Sequence, residues 1–127
     1  YQLDVDPKSK TRALVLRQQS TYAPEGLYRW MASAAIDKNG NIGIGYSFGG
    51  GSNFAGQRFA GRLANDPPGQ LTFRELKLVE GEAAQTSTLR WEDYTQTGVD
   101  PSNDCTIWYV GDYLEKGAAS YCSIPWE

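Results

Sequence analysis

One hairpin pattern occurs twice in this chain, and that repeat limits the folds open to it more than any other feature. Met31-Ala-Ser-Ala-Ala-Ile-Asp-Lys-Asn-Gly-Asn-Ile-Gly-Ile-Gly-Tyr46 reads as strand, tight turn and strand. The pattern returns 63 positions later without a gap, Ile36-Asp37 matching Val99-Asp100, Ile44 matching Ile107 and Tyr46 matching Tyr109. Arg29-Trp30 is echoed by Arg90-Trp91 with a slip of two residues. A repeat of this length built from short strands points to one supersecondary unit used twice.

Strand signals fill the rest of the chain. Arg12-Ala-Leu-Val-Leu-Arg-Gln18 is the first convincing strand, and residues 1–11 have a turn composition. Tyr28–Ile36 and Ile42–Ser47 flank Asn39-Gly40, the strongest turn signal. Gly43 and Gly45 strip one face of the second of these strands, which permits close approach by a neighbouring sheet. Phe48-Gly-Gly-Gly-Ser-Asn-Phe54 reads as a flexible loop, and Gln57–Ala64 as a third strand. Asn65-Asp-Pro-Pro-Gly69 is a turn, and Leu71–Glu80 alternates like an outer strand with one wet face. Tyr94–Val99, Cys105–Val110 and Ala118–Pro125 form the second set. No segment sustains a helical period, so almost no helix is expected beyond one short turn near Ala83–Thr88.

These signals give an all-β domain over residues 1–127: an outer strand and loop of a preceding blade at 12–27, a first blade at 28–80 and a second, incomplete blade at 90–127. Two consecutive four-stranded antiparallel propeller blades account for that order, and a small β-sandwich of eight strands is the alternative. Two blades do not close a ring, so the remaining blades are expected on a preceding or separate chain. The first residues are neither a signal peptide nor a starting methionine, which reads as a trimmed or excised segment.

Charge and composition narrow the partners. A net charge of −3 disfavours nucleic acid, and no run of 18 apolar residues supplies a membrane span. The two cysteines, Cys105 and Cys122, fall opposite each other if the last two strands pair about a turn centred between Tyr113 and Leu114. That spacing predicts a disulfide, and with it a secreted protein.

Without histidine, the chemistry left to the chain is carboxylate, tyrosine, arginine and backbone. Loops at one end of the blades would gather Arg29, Trp30, Phe48, Asn53 and Phe54 with Arg90, Trp91, Asp93, Asp112 and Tyr113. Aromatic planes beside charged hydrogen-bonding groups suit a glycan. The competing reading has the repeated Arg-Trp pairs plugging neighbouring blades, since packing residues repeat and catalytic ones are usually unique. Glu92 and Tyr94 do not repeat, and they would share one face of a strand. A tyrosine beside a carboxylate is the nucleophile arrangement of sialidases. The turns Asp37-x-Asn39-x-Asn41 and Asp100-x-Ser102-x-Asp104 have half the oxygen spacing of a calcium loop but lack its closing glutamate. No cofactor is expected, with calcium the weaker alternative.

Arg29–Ser47, Arg58-Phe-Ala-Gly-Arg-Leu63, Arg90-Trp-Glu-Asp-Tyr94 and Val99–Tyr109 follow one another in an order that resembles the C-terminal part of large secreted, mostly bacterial proteins of sialidase-like β-propeller type. The resemblance covers roughly residues 12–125 and implies a propeller fold and an extracellular location, without an established reaction. Glu92 stands where the family usually has glycine, Asn103 where it has aspartate, and Ile107 where it has phenylalanine. Three roles follow as expectations: a glycan-binding or scaffold module, a portion of a glycosidase, or a structural subunit docking on a partner chain.

Overall fold

The computed structural model describes residues 1–118 and the backbone of residues 122–124. Among the described residues nine strands run in chain order: β1 (Gln2–Val5), β2 (Leu14–Gln18), β3 (Tyr28–Ile36), β4 (Ile42–Gly50), β5 (Asn53–Arg62), β6 (Phe73–Gly81), β7 (Gln96–Val99), β8 (Ile107–Tyr113) and β9 (Cys122–Ile124). β1 and β2 form a hairpin, β3-β4-β5-β6 a four-stranded sheet and β7-β8-β9 a three-stranded one, with antiparallel pairing throughout. No helix occurs among the described residues, and none there is long and apolar enough to cross a membrane. The helical turn expected near Ala83–Thr88 is instead irregular connection.

Several boundaries differ from the sequence reading, each for a local reason. The polar N-terminal stretch contains β1, whose register places Leu3 opposite Leu16 and Val5 opposite Leu14. The glycine-rich loop is shorter than expected, because pairing runs to Gly50 opposite Asn53. Gly50 and Gly51, with φ of +111° and +61°, make the reversal that no side-chain-bearing residue would take readily. The gap-free match between the two units does not survive strand pairing. Ile36 pairs with Ile42 but Val99 pairs with Ile107, so the second turn is longer by two residues. Tyr109 therefore occupies the place of Ile44 rather than that of Tyr46.

The last hairpin has a different register from the one the cysteine reading assumed. Its register opposes Tyr113 to Cys122, at the far end of β8 from Cys105. The turn shifts because Leu114, expected near its centre, is fully buried, while Gly117 takes a φ of +85°. Cys105 is an exposed free thiol, its sulfur accepting a hydrogen bond from Asn39 Nδ2 at 3.4 Å. The Cys122 side chain lies outside the described residues.

The two larger sheets pack face to face, with glycine deciding where. Alternation along β4 points Gly43, Gly45 and Ser47 toward the three-stranded sheet, and Ile42, Ile44 and Tyr46 away from it. Ile107 fits against Gly43, and the ring of Tyr109 lies over Gly45. The leading strands of the two sheets are tied edge to edge. Thr97 N–H donates to Ser33 Oγ at 2.8 Å, Thr97 Oγ1 to the Ser33 carbonyl at 2.9 Å, and Thr95 Oγ1 to the Met31 carbonyl at 2.7 Å. Thr97→Val keeps the shape and deletes one buried bond of this seam. It is expected to cost about 1 kcal/mol, read as a lower urea midpoint at unchanged slope.

The two repeated turns also dock on each other, Lys38 N–H donating to the Asp104 carbonyl at 2.9 Å and Lys38 Nζ to that of Asn103 at 2.6 Å. Both aspartates that open these turns are occupied by the turns themselves. Asp37 Oδ1 accepts from the Asn39 and Asn41 amides at 2.8 and 2.9 Å, and Asp100 Oδ1 from the Ser102 amide at 2.7 Å.

Candidate functional site

The most unusual chemistry in the protein is a carboxylate held between the two packed sheets. Glu92 precedes β7 and is 5% exposed. Its backbone has a φ of +36°, a left-handed conformation that side-chain-bearing residues adopt at a cost of about 1–2 kcal/mol. Met31, which follows Trp30 as Glu92 follows Trp91, has a φ of +52°. The same kink therefore recurs in both units. Glycine at position 92 would make it without strain.

The kink turns Glu92 inward onto three partners from distant parts of the chain. Ser47 Oγ on β4 donates to Oε2 at 2.9 Å, and Gln57 Nε2 on β5 reaches Oε1 at 3.1 Å. The Asp112 amide on β8 also donates to Oε1. Trp91 Nε1 donates to Ser47 Oγ at 3.1 Å, and the Tyr109 hydroxyl donates to Gln57 Oε1 at 2.7 Å. Gln57 Nε2 additionally bonds Ser47 Oγ at 3.0 Å and the Asp112 carbonyl. Ser47 and Gln57 face each other across β4 and β5, so sheet register alone brings those two together.

No cationic side chain reaches Glu92 among its bonds. Desolvation raises its pKa above the ordinary glutamate value, the Asp112 charge adds to the rise, and the amide of Asp112 and hydroxyl of Ser47 oppose it. Burial likewise raises Asp112, and burial followed by the Glu92 charge raises Tyr109. The cluster is thus a carboxylate whose proton affinity is raised by burial, closed between two sheets. It has acid chemistry but almost no surface through which a substrate could reach it.

The sequence-predicted pair Glu92 and Tyr94 is not brought together. The strand begins only at Gln96, the kink at Glu92 breaks the alternation, and Tyr94 is 89% exposed. Tyr109, linked through Gln57, is the tyrosine that belongs with Glu92, and the sequence marks it only as a repeat position. The only signal for Ser47 and Gln57 is the alternation along β4 and β5.

Most residues expected to bind a ligand are occupied internally. Arg29 grips Glu75 with two bonds of 2.8 and 3.1 Å and donates to the Leu27 carbonyl at 3.1 Å. Tyr46 OH donates to the same Glu75 at 2.5 Å, and desolvation is outweighed there by these bonds, so the Glu75 carboxyl lies below its ordinary range. Trp30 and Trp91 pack edge to face, 6.2 Å between centroids, which favours the plugging role for the repeated pair. Phe48 is buried beneath the guanidinium of Arg58, 3.5 Å from ring centroid to Cζ. Arg90 pairs with Asp93 at the surface. Asn53 and Phe54 are exposed, Asn53 Nδ2 donating to the Gly50 carbonyl at 3.3 Å. Tyr113 OH donates to Glu115 at 3.0 Å, and Asp112 sits beside Glu92. Among the described residues, no three His, Cys, Asp or Glu side chains converge as metal ligands would.

Comparison with protein-family models, with curated proteins and with solved structures gave no match.

Proposed function

We propose that the chain is a scaffold portion of a larger propeller-type assembly, with its two main sheets as successive blades and the β1–β2 hairpin as the outer strands of the blade before. The supporting observation is topological. Among the described residues each sheet is a plain meander in chain order, and no strand crosses between sheets as the Greek-key connections of a sandwich would require. The leading strands β3 and β7 lie edge to edge, as strands around a common axis would.

A scaffold role fits better than a glycan pocket or a glycosidase. Arg29, Phe48, Trp30 and Trp91 are consumed in packing, and Glu92 faces a closed interface rather than Tyr94. An extracellular location belongs to this reading through the sequence resemblance.

An assembly would cover apolar side chains that are bare in this chain. Leu3, Val5, Leu14 and Leu16 share one face of the hairpin, each between 44% and 64% exposed, and Trp108 and Val110 are bare on the outer face of β8. Surfaces of this kind mark interaction sites. In isolation the protein is expected to self-associate with rising concentration and to bind a hydrophobic dye, by sedimentation equilibrium and fluorescence. A monodisperse 14.0 kDa species that leaves the dye dark would overturn the proposal.

A further inference from the structure

On the side of the four-stranded sheet away from Glu92 lies a groove of about 550 Å³. Its floor is Ala34, Ile36, Ile42 and Ile44, and its walls are the loop following Gln18 and the segment Gly69–Leu71. That volume falls within the usual ligand-site range of about 300–1,000 Å³. No aspartate or glutamate lines it, and its one cationic side chain is Arg62.

Arg62 is an unusual residue to find in such a wall. It is 5% exposed, its Nη2 donates to the Asp66 carbonyl, and its Nε–H has no acceptor among the described residues. The nearby Asp66 carboxylate accepts instead from the Leu63 amide and the Thr72 hydroxyl. Arg58, the other buried arginine of β5, is paired with Glu80 at 2.6 Å through Nη2, although its Nη1 also lacks an acceptor among the described residues. A buried N–H left without an acceptor costs about 1–3 kcal/mol, which a carboxylate would recover if a small shift of the Arg62 side chain brought the two together.

We propose that this groove binds a small organic anion, a monocarboxylate with a hydrocarbon body, whose carboxylate meets Arg62 while its chain lies along Ile36, Ile42 and Ile44. The aliphatic floor suits hydrocarbon better than sugar hydroxyls. A monoanion places one negative charge beside a guanidinium whose field Asp66 already shares, and a dianionic phosphate would be still less compensated.

Octanoate and its neutral counterpart 1-octanol are the probes, titrated into the ¹⁵N-labelled chain and followed by amide chemical shifts. Octanoate is expected to give saturable shifts at Ile42, Ile44, Gln18 and Leu71 and to bind more tightly than octanol. Arg62→Gln is expected to weaken octanoate about tenfold and leave octanol unchanged, the loss of one charge-assisted bond. Equal affinity for the two probes on the unaltered chain, or shifts that do not saturate, would overturn the site. That comparison decides the question even where Arg62→Gln does not fold. Loss of both probes in a folded Arg62→Gln protein would also count against it. Neither outcome depends on whether the chain self-associates, so the site and the assembly proposal fail separately.

Discussion

Gly45→Ala is expected to destabilise the protein by about 3 kcal/mol, at the upper end of what overpacking costs. A Cβ at this position would lie 2.1–2.4 Å from the Cδ2, Cγ and Cε2 atoms of Tyr109. Such contacts cannot be relieved by a flexible tip moving aside, because Cγ is fixed close to the backbone and the hydroxyl is held by Gln57 at 2.7 Å. Relief would require the two sheets to move apart, which loosens the Glu92 cluster as well. Gly98→Ala is the control, since nothing lies within 4 Å of its added Cβ, and its effect is expected within about 0.5 kcal/mol of zero. Urea unfolding of both variants checks the contrast. Combining Gly45→Ala with Tyr109→Ala should cost less than the sum of the single changes, since the second removes the ring that the first strikes. Strict additivity would show that the glycine does not set the spacing between the sheets.

That interface was readable from sequence in one respect and hidden in another. Glycines at 43 and 45 on one face of a strand announced a close neighbour, and the neighbour is there. Strand order within 28–80 was equally plain, because Asn39-Gly40 and Asp66-Pro-Pro-Gly69 punctuate alternating segments. What the sequence did not disclose depends on long-range packing. The second turn is longer than the first, so a gap-free alignment placed Tyr109 in the wrong row. Leu114 had the neighbourhood of a turn residue but is buried, and its burial shifted the last hairpin away from the cysteine pairing. Glu92 was visible as a carboxylate without a counterpart in the first unit, yet its partners come from β4, β5 and β8. Only the folded register brings Ser47, Gln57 and the Asp112 amide to it.

The Glu92 cluster predicts that stability falls as pH rises above the unfolded carboxylate range. Desolvation raises the folded-state pKa of both Glu92 and Asp112, so the native state holds protons that the unfolded chain releases from about pH 4 upward. Their stabilising contribution is therefore complete below that range and is lost as pH climbs through the folded values. Glu75 and Glu80 act in the opposite sense. Despite desolvation, bonds from Arg29 and Tyr46 lower the first, and bonds from Lys77 and Arg58 lower the second, so both lose their contribution as pH falls below about 4. The two trends place maximal stability near pH 4–5, below the optimum common for globular proteins. Glu92→Gln keeps the acceptor for the Asp112 amide and offers Ser47 a donor. It is expected to match the unaltered protein near pH 4 and exceed it near pH 7. Glu92→Ala leaves three buried donors facing a void and is expected to lose about 2–4 kcal/mol at every pH. Thermal midpoints of the three proteins from pH 4 to 8 separate these cases. An unaltered protein whose midpoint rises across that range, or a Glu92→Gln variant with an undiminished slope, would show that the proton resides elsewhere.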